Sequence, residues 1–280
     1  MGCTTNTDSI DLSVSGGTLE ADLVVDPAAG KSPNQLVVDA TGVYVSSDGW
    51  VPLGATLAYS SADAPTFVAT TSADLTSFIG PGDRVRLVQS ATDLYFIVTA
   101  ISAGNVTLYG GTDYVLANSA ITSPVFSKAK SPIGFPLSAA KWTVTFRDTS
   151  SRTQSSPVNG TWYNLGSGAL SFSLPIGSWD VTFESTVYLT YPGAGAPQVY
   201  STLSTANNSE SDSDFTGTAA AHSPATLSNP VATFARRKTI DIAAKTSYYA
   251  NIKTSDGGVS AIGFYSNTAP MVVEARCNYL

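Results

Sequence analysis

Apolar and polar residues alternate with a period of two along most of this chain, and the pattern predicts short β-strands. The longest alternating run begins at Trp179 and ends at Tyr191, and only Ser185 interrupts its apolar positions. No stretch predicts a long helix, since the repeat of about 3.6 residues is missing. Turn residues separate the strands every 8 to 12 residues or so, a spacing typical of sandwiches and barrels. The sequence therefore predicts an all-β protein.

The strength of this alternation divides the chain into four predicted segments. Residues 1–48 have short alternating runs but too few large apolar side chains for a core of their own, so we expect them to pair with a partner chain or with their own symmetry mates. Residues 49–126 predict a small β-barrel or sandwich. Residues 127–140 are rich in proline, which fixes φ and predicts a stiff connector. Residues 141–280 carry further strands that predict a jelly-roll-like sandwich.

Composition narrows the classes of function. Only 12% of the 280 residues are charged, and the formal net charge is −7. Phosphate binding needs clustered Lys and Arg, so we expect no nucleic-acid partner. The first residues lack the basic start and apolar core of a signal peptide, and no apolar run approaches the ~18 residues that span a bilayer. We therefore expect a protein made in the cytoplasm that does not insert into membranes.

The few reactive side chains give no catalytic constellation. His222, the only histidine, lies in an Ala/Ser/Pro loop and is predicted to be exposed. Asp180 and Glu184 share the polar face of one strand, roughly 13 Å apart, which is too far for either course of glycoside hydrolysis. The sequence therefore predicts no enzyme, no catalytic residues and no cofactor.

Three further groups of residues carry expectations of their own. Cys3 and Cys277 lie at opposite ends of the chain, so we expect free thiols, with Cys277 buried in the last strand. Arg84 and Arg86 alternate with apolar residues and are predicted to be exposed. The acidic loop 206–214 has a carboxylate spacing that calcium could use, but the EF-hand pattern is not met, and a hydrated loop is the alternative. We predict no metal site.

Three blocks near the middle of the chain resemble a module of tailed-bacteriophage virion proteins. The blocks are Gly110–Leu116 (GGTDYVL), Lys130–Pro136 (KSPIGFP) and Lys141–Trp142. Residues 34–45 also resemble a unit found near the N-termini of phage tail and fibre proteins. The segments LPIGSWDVTFESTVYL and KTIDIAAKTSYYANIKT are similar to strand pairs in trimeric C1q-like and tumour-necrosis-factor-like heads of phage fibres.

The resemblance implies a homotrimeric virion protein exposed on the released particle. Residues 1–48 would attach to other virion proteins, and the C-terminal C1q/TNF-like head would point outward. The leading function is a tail-tip or baseplate fibre that binds the host cell surface, with cell-wall glycan as the simplest receptor. The alternative is a head fibre or capsid decoration protein with a mainly structural role.

Loop residues of the C-terminal head are the predicted receptor contacts. Aromatic rings at loop tips stack on sugars at low entropic cost, and we favour aromatic and acidic residues of the loops. Most aromatic residues of a sandwich belong to its core, which is the alternative for each ring. The candidates are Trp162, Tyr163, Tyr191, Asp212 and Asp214.

Overall fold

The computed structural model describes residues 10–15, 18–23, 36–39, 42–45, 48–166, 169–222, 230–265 and 269–280. The chain divides into two compact units, Met1–Val45 and Ser46–Leu280. The first contains two antiparallel pairs, β1 (Ile10–Ser15) with β2 (Thr18–Leu23) and β3 (Leu36–Asp39) with β4 (Gly42–Val45). Our other expectations for residues 1–48, including the state of Cys3, lie outside the described residues.

The second unit begins with a seven-stranded antiparallel sheet, here called the small sheet. Its strands are β5 (Val51–Pro52), β6 (Leu57–Asp63), β7 (Thr66–Thr71), β8 (Arg84–Gln89), β9 (Thr92–Ser102), β10 (Asn105–Tyr109) and β11 (Thr122–Ser127), in the order β5-β11-β8-β9-β10-β7-β6. One face of β9 places Phe96 in the core of the small sheet, whereas Ile97 on the other face joins the core of the following domain. Both faces of the small sheet are therefore partly buried.

The remaining strands form two packed sheets. They are β12 (Thr143–Asp148), β13 (Arg152–Ser155), β14 (Ser171–Leu174), β15 (Gly177–Thr190), β16 (Gln198–Ser204), β17 (Gly217–Ala221), β18 (Val231–Ile242), β19 (Thr246–Thr254), β20 (Ala261–Phe264) and β21 (Met271–Cys277). One sheet has the order β12-β21-β15-β18, with β20 and β13 continuing it beside β15, and the other has the order β14-β19-β16-β17. This connectivity is that of a jelly roll. The predicted all-β class and C-terminal sandwich are confirmed.

Strand β15 is the centre of the jelly roll, as its alternation predicted. Trp179, Phe183 and Leu189 are all fully buried in the core between the two sheets. The exception in the sequence pattern, Ser185, is buried as well, and its hydroxyl lies 2.8 Å from the hydroxyl of Ser201 on β16. A paired hydroxyl satisfies the requirement that buried polar groups have hydrogen-bond partners. The alternation therefore continues through the serine without a break.

The first phage-like block fixes the small sheet against the start of the jelly roll. A Cβ at Gly110 would lie 2.1 Å from the Tyr114 carbonyl oxygen, and one at Gly111 would lie 2.4 Å from the Lys141 carbonyl oxygen. Gly111 also has a φ of +65°, which residues other than glycine rarely adopt. The Lys141 ammonium pairs with the Asp113 carboxylate and lies 4.7 Å from the centre of the Tyr114 ring. Both glycines are thus required by close backbone contact.

The other two blocks meet in the same place. A 3₁₀ helix spans Ala139–Trp142, and the ring of Trp142 stacks on Phe135 with 5.1 Å between ring centres and 4° between their planes. The indole N–H of Trp142 donates to the Pro136 carbonyl oxygen at 2.7 Å. Trp142 also contacts Tyr109 at the end of β10. The three blocks therefore build one contact region, which we call the junction, between the small sheet and the jelly roll.

Contacts at the junction contradict a prediction about the exposure of an arginine side chain. Arg84 was expected to be exposed, but it is fully buried and donates to the carbonyl oxygens of Gly82, Lys130 and Tyr279. Arg86 is half-buried, with its guanidinium 5.2 Å from the centre of the Trp50 ring. The prediction assumed that only one face of β8 was covered. The connector and the C-terminal residues cover the other face.

Candidate functional site

The jelly roll has one end at the junction and one end away from it, which we call the distal end. Three connections form the distal end: residues 156–161, 191–197 and 255–260. Main-chain hydrogen bonds tie them to the strands and to one another, from Ser156 N to Ser260 O at 2.8 Å and from Ser255 N to Gln198 O at 3.0 Å. At the opposite end, the Lys245 ammonium after β18 pairs with Asp63 of the small sheet. Loops at the free end of a rigid sandwich are the common position for binding residues.

A groove opens beside the distal end of β15, and we call it the tyrosine groove. Its volume is about 430 Å³, and it is lined by Ser151, Tyr188, Thr190, Val231 and Tyr265. The two tyrosine rings meet edge to face, with 6.5 Å between centres. Val231 is 47% exposed and Tyr265 is 37% exposed, which is unusual for large apolar side chains of a sandwich. The groove thus combines exposed ring surface with hydroxyl groups.

The strands beneath the groove hold Tyr188 in place. Its hydroxyl lies 2.5 Å from the Thr153 hydroxyl on β13, and a Cβ at Gly263 would lie 2.4 Å from its ring. Only glycine at this position of β20 lets the ring lie close to the sheet. A fixed ring with neighbouring hydroxyl groups can stack on a sugar and bond to its hydroxyls with little loss of entropy. Neither Tyr188 nor Tyr265 was among the predicted contacts, although Tyr188 stands out as an aromatic on the polar face of β15.

Two predicted contact residues, Trp162 and Tyr163, lie side by side against β19. The Tyr163 N–H donates to the Ile252 carbonyl oxygen at 2.8 Å, and its hydroxyl accepts from the Val158 N–H at 2.9 Å. The Trp162 ring has its centre 4.4 Å from the ammonium of Lys253. Both rings are half-buried. The segment is therefore an extra strand-like edge rather than a projecting loop tip.

The third predicted aromatic contact, Tyr191, folds back under its own loop. A Cβ at Gly193 or at Gly195 would lie 2.8 Å from atoms of the tyrosine side chain. On another side, the ring meets His222 edge to face, with 5.3 Å between centres. Tyr191 is half-buried and supports the distal loop 191–197.

The prediction that His222 is exposed is wrong. The side chain is 3% exposed, and its Nδ1 lies 3.0 Å from the Gly195 carbonyl oxygen. Within the described residues, its Nε2 has no hydrogen-bond partner. The cause is the main chain, because the His222 N–H donates to Pro197 O at 2.9 Å and draws the residue beneath the loop. A local sequence of small residues could not reveal this long-range contact.

The acidic candidates, Asp212 and Asp214, are brought together by one lysine. The Lys238 ammonium on β18 lies 2.7 Å from the first carboxylate and 2.8 Å from the second. Hydrogen bonds to Asp212 and Asp214 raise the pKa of Lys238. Asp212 also caps the 3₁₀ helix Ser213–Phe215 by accepting from the Asp214 N–H. Among the described residues, no group of three or more His, Cys, Asp and Glu side chains could hold a metal ion.

Comparison with known proteins defines no family for this chain. No protein-family model and no curated protein matches it. In the part of the chain described here, there is no helix of the length and apolarity that crossing a membrane requires.

Solved structures align with the chain only loosely. Dimeric latent PorU from Porphyromonas gingivalis aligns at 11% identity over 81% of this chain and 24% of that chain, with a TM-score of 0.28. The VP2 subviral particle of infectious bursal disease virus aligns at 16% identity over 86% and 64% of the two chains, with a TM-score of 0.28. The structure of T=1 particles derived from the same virus aligns at 13% identity over 95% of this chain and 61% of that chain, with a TM-score of 0.29. The chain thus spans less than two thirds of each of these chains, and such TM-scores carry no argument about fold or function.

Proposed function

We propose that this protein is a structural component of a tailed-bacteriophage virion and that its jelly roll binds the surface of the host cell. The proposed position is a tail tip or baseplate, and the proposed ligand is cell-wall glycan. The observation that carries the proposal is the tyrosine groove, an open site of about 430 Å³ with exposed aromatic surface. It lies at the end of the jelly roll away from the small sheet, where a surface-binding site is accessible.

The phage-like blocks support the proposal in a structural way. Their residues Gly111, Phe135 and Trp142 are used in the junction, where they fix the jelly roll to the small sheet. A rigid junction would hold the groove in a constant direction relative to the small sheet. The proposed homotrimer, attached through residues 1–48, would present three grooves at once.

Several grooves are needed because each one binds weakly. One stacked aromatic ring contributes on the order of 1 kcal/mol, so a single sugar contact is weak. Linking several sites raises the apparent affinity by roughly 10²-fold or more through effective concentration. A virion with several fibres would therefore attach firmly through individually weak contacts.

The test is a cell-binding assay with the Tyr265→Ala variant of the full chain. We expect its binding to host cells to fall about tenfold, because the loss of stacking is repeated at every linked site. Tyr249→Ala is the matched control, since Tyr249 is a half-buried tyrosine on β19 and does not line the groove. Wild-type binding by a folded Tyr265→Ala protein would refute receptor binding through the groove.

A head fibre or capsid decoration protein is the second proposed function. This function is favoured because three of the five side chains predicted to meet a receptor make contacts within the protein. They are Tyr191, Asp212 and Asp214. Imaging of the virion distinguishes the two functions. Density for this chain at the tail tip supports the first, and density on the capsid supports the second.

A further inference from the structure

Three side chains form a row across the outer face of the β14-β19-β16-β17 sheet. Lys253 on β19 is directly opposite Tyr200 on β16 in the strand register. On its other side, the bridge between Tyr163 and Ile252 brings Trp162 beside Lys253. The ammonium lies 4.4 Å from the centre of the Trp162 ring and 5.4 Å from the centre of the Tyr200 ring. Lys253 is thus held between two aromatic rings.

The surroundings hold this row in a defined shape. The Tyr200 hydroxyl donates to the side-chain oxygen of Gln198 at 2.8 Å. Two residues before Lys253 on β19, the fully buried Asn251 donates to the carbonyl oxygens of Ala206 and Ser209 at 3.0 and 2.7 Å. The acidic loop is therefore fixed along one side of the row. The three side chains themselves are half-buried and face solvent in part.

The surroundings of Lys253 differ from those of three other lysines of this acidic protein. Lys141, Lys238 and Lys245 each pair with a carboxylate. Within the described residues, Lys253 has its two ring contacts but neither a salt bridge nor a hydrogen bond. An ammonium has three donors, and the rings attract its charge without accepting a full hydrogen bond from each donor. Its donors are therefore available to an anion from outside.

We infer that the row Trp162–Lys253–Tyr200 is a binding site for an anionic sugar polymer, in which the ammonium bonds to a phosphate or carboxylate and the rings contact the sugar. The inference rests on the proposed function only for the sugar part of the ligand. Charge-assisted hydrogen bonds are the stronger kind, and a neighbouring ring adds apolar contact to the adjacent sugar carbons. The site is separate from the tyrosine groove, which has no charged side chain in its lining.

The experiment is calorimetric titration of the full chain with three purified polymers. Poly(glycerol phosphate) offers phosphate, polygalacturonic acid offers carboxylate, and dextran offers neutral sugar alone. We expect binding to at least one anionic polymer, weakening with added salt, and none to dextran. Preference between the first two identifies the anionic group. Binding to neither anionic polymer, or equal binding to dextran, overturns the inference.

Variants locate the site. Lys253→Gln should weaken binding about tenfold, whereas Lys253→Arg should largely preserve it. Lys128→Gln is the control for net charge, because Lys128 is an exposed lysine on the small sheet side of the chain. Equal weakening by Lys253→Gln and Lys128→Gln would mean a diffuse charge effect and would overturn the site.

Purified polymers require no virion, so failure here leaves cell binding through the groove intact. Conversely, if the wild-type protein does not bind host cells, the titration with purified polymers still tests the row Trp162–Lys253–Tyr200.

Discussion

The two ends of the jelly roll use the same kinds of side chain for opposite purposes. At the junction, Trp142, Trp179 and Tyr109 are at most 1% exposed and pack against one another. At the distal end, Tyr188 and Tyr265 also pair, but their rings border an open groove. The difference teaches that aromatic content does not locate a binding site. What separates the ends is whether a second layer of the protein covers the rings.

The same contrast holds for the glycines at the two ends. Gly111 at the junction has no space for a side chain, because the Lys141 carbonyl oxygen occupies it. Gly160 in the distal connection has a similar φ of +75°, yet nothing lies within 4 Å of its missing Cβ. The junction is therefore constrained by packing and backbone together, whereas the distal connection is constrained by backbone conformation alone.

The largest effect is expected from Trp142→Ala. The substitution removes a fully buried ring, its stacking on Phe135 and the hydrogen bond to Pro136. Replacing a buried Trp by Ala usually costs about 3–5 kcal/mol. We expect the free energy of unfolding to fall by that amount, measured by urea denaturation with intrinsic fluorescence and circular dichroism.

Trp162→Ala is the matched control for the same residue type outside the junction. Its ring is half-buried and contacts Lys253, so the expected loss is about 1 kcal/mol. Equal losses in the two variants would contradict the distinction between a covered and an open set of rings.

The part of the fold that the sequence predicted is the part set by local pattern. The alternation along β15 was sufficient because one residue in two must face the core, and a buried Ser185 could still be satisfied by Ser201. The burial of Arg84 and His222 depends on contacts with segments that are distant in the chain. Periodicity carries no information about such contacts, and both predictions failed for that reason.

In the candidate site, too, the local sequence indicated some residues, whereas their positions depend on long-range contacts. The sequence identified Trp162 as an aromatic residue near a turn, but its position beside Lys253 depends on the register of an isolated bridge. The tyrosine groove depends on Tyr188 and Tyr265, which are 77 residues apart in the chain and are brought together by the pairing of β15 with β20. The residues of the three phage-like blocks hold the junction together in the structure and do not line the groove.

The second prediction sharpens the contrast between the glycines. Gly111→Ala must adopt a left-handed conformation and must also displace the Lys141 carbonyl oxygen, so we expect a loss of about 3 kcal/mol. Gly160→Ala meets only the conformational cost, about 1 kcal/mol. Thermal unfolding of both variants measures the difference. If Gly160→Ala proves as damaging as Gly111→Ala, the backbone contact at the junction is not what requires the glycine.

The smallest effect concerns alkaline pH, and it acts through the junction end. Cys277, the last residue of β21, is 2% exposed, which confirms the prediction that it is buried. Burial raises the pKa of its thiol from 9.0 to about 11. Because the folded pKa is the higher one, the thiol's contribution to stability is complete below pH 9 and is lost as the pH rises through about 11.

We therefore expect the free energy of unfolding to fall between about pH 8 and pH 11, with roughly 2 kcal/mol of the fall due to Cys277. Burial also raises the pKa of Tyr109 and Tyr279, so part of the fall will have another origin. Cys277→Ala separates the two, since its cavity costs the same at every pH, whereas its ionisable group is gone. Urea midpoints of both proteins at several pH values give the comparison. A wild-type curve parallel to that of Cys277→Ala would show that the thiol ionises as easily in the folded chain as in the unfolded one, and that the junction is open to water at β21.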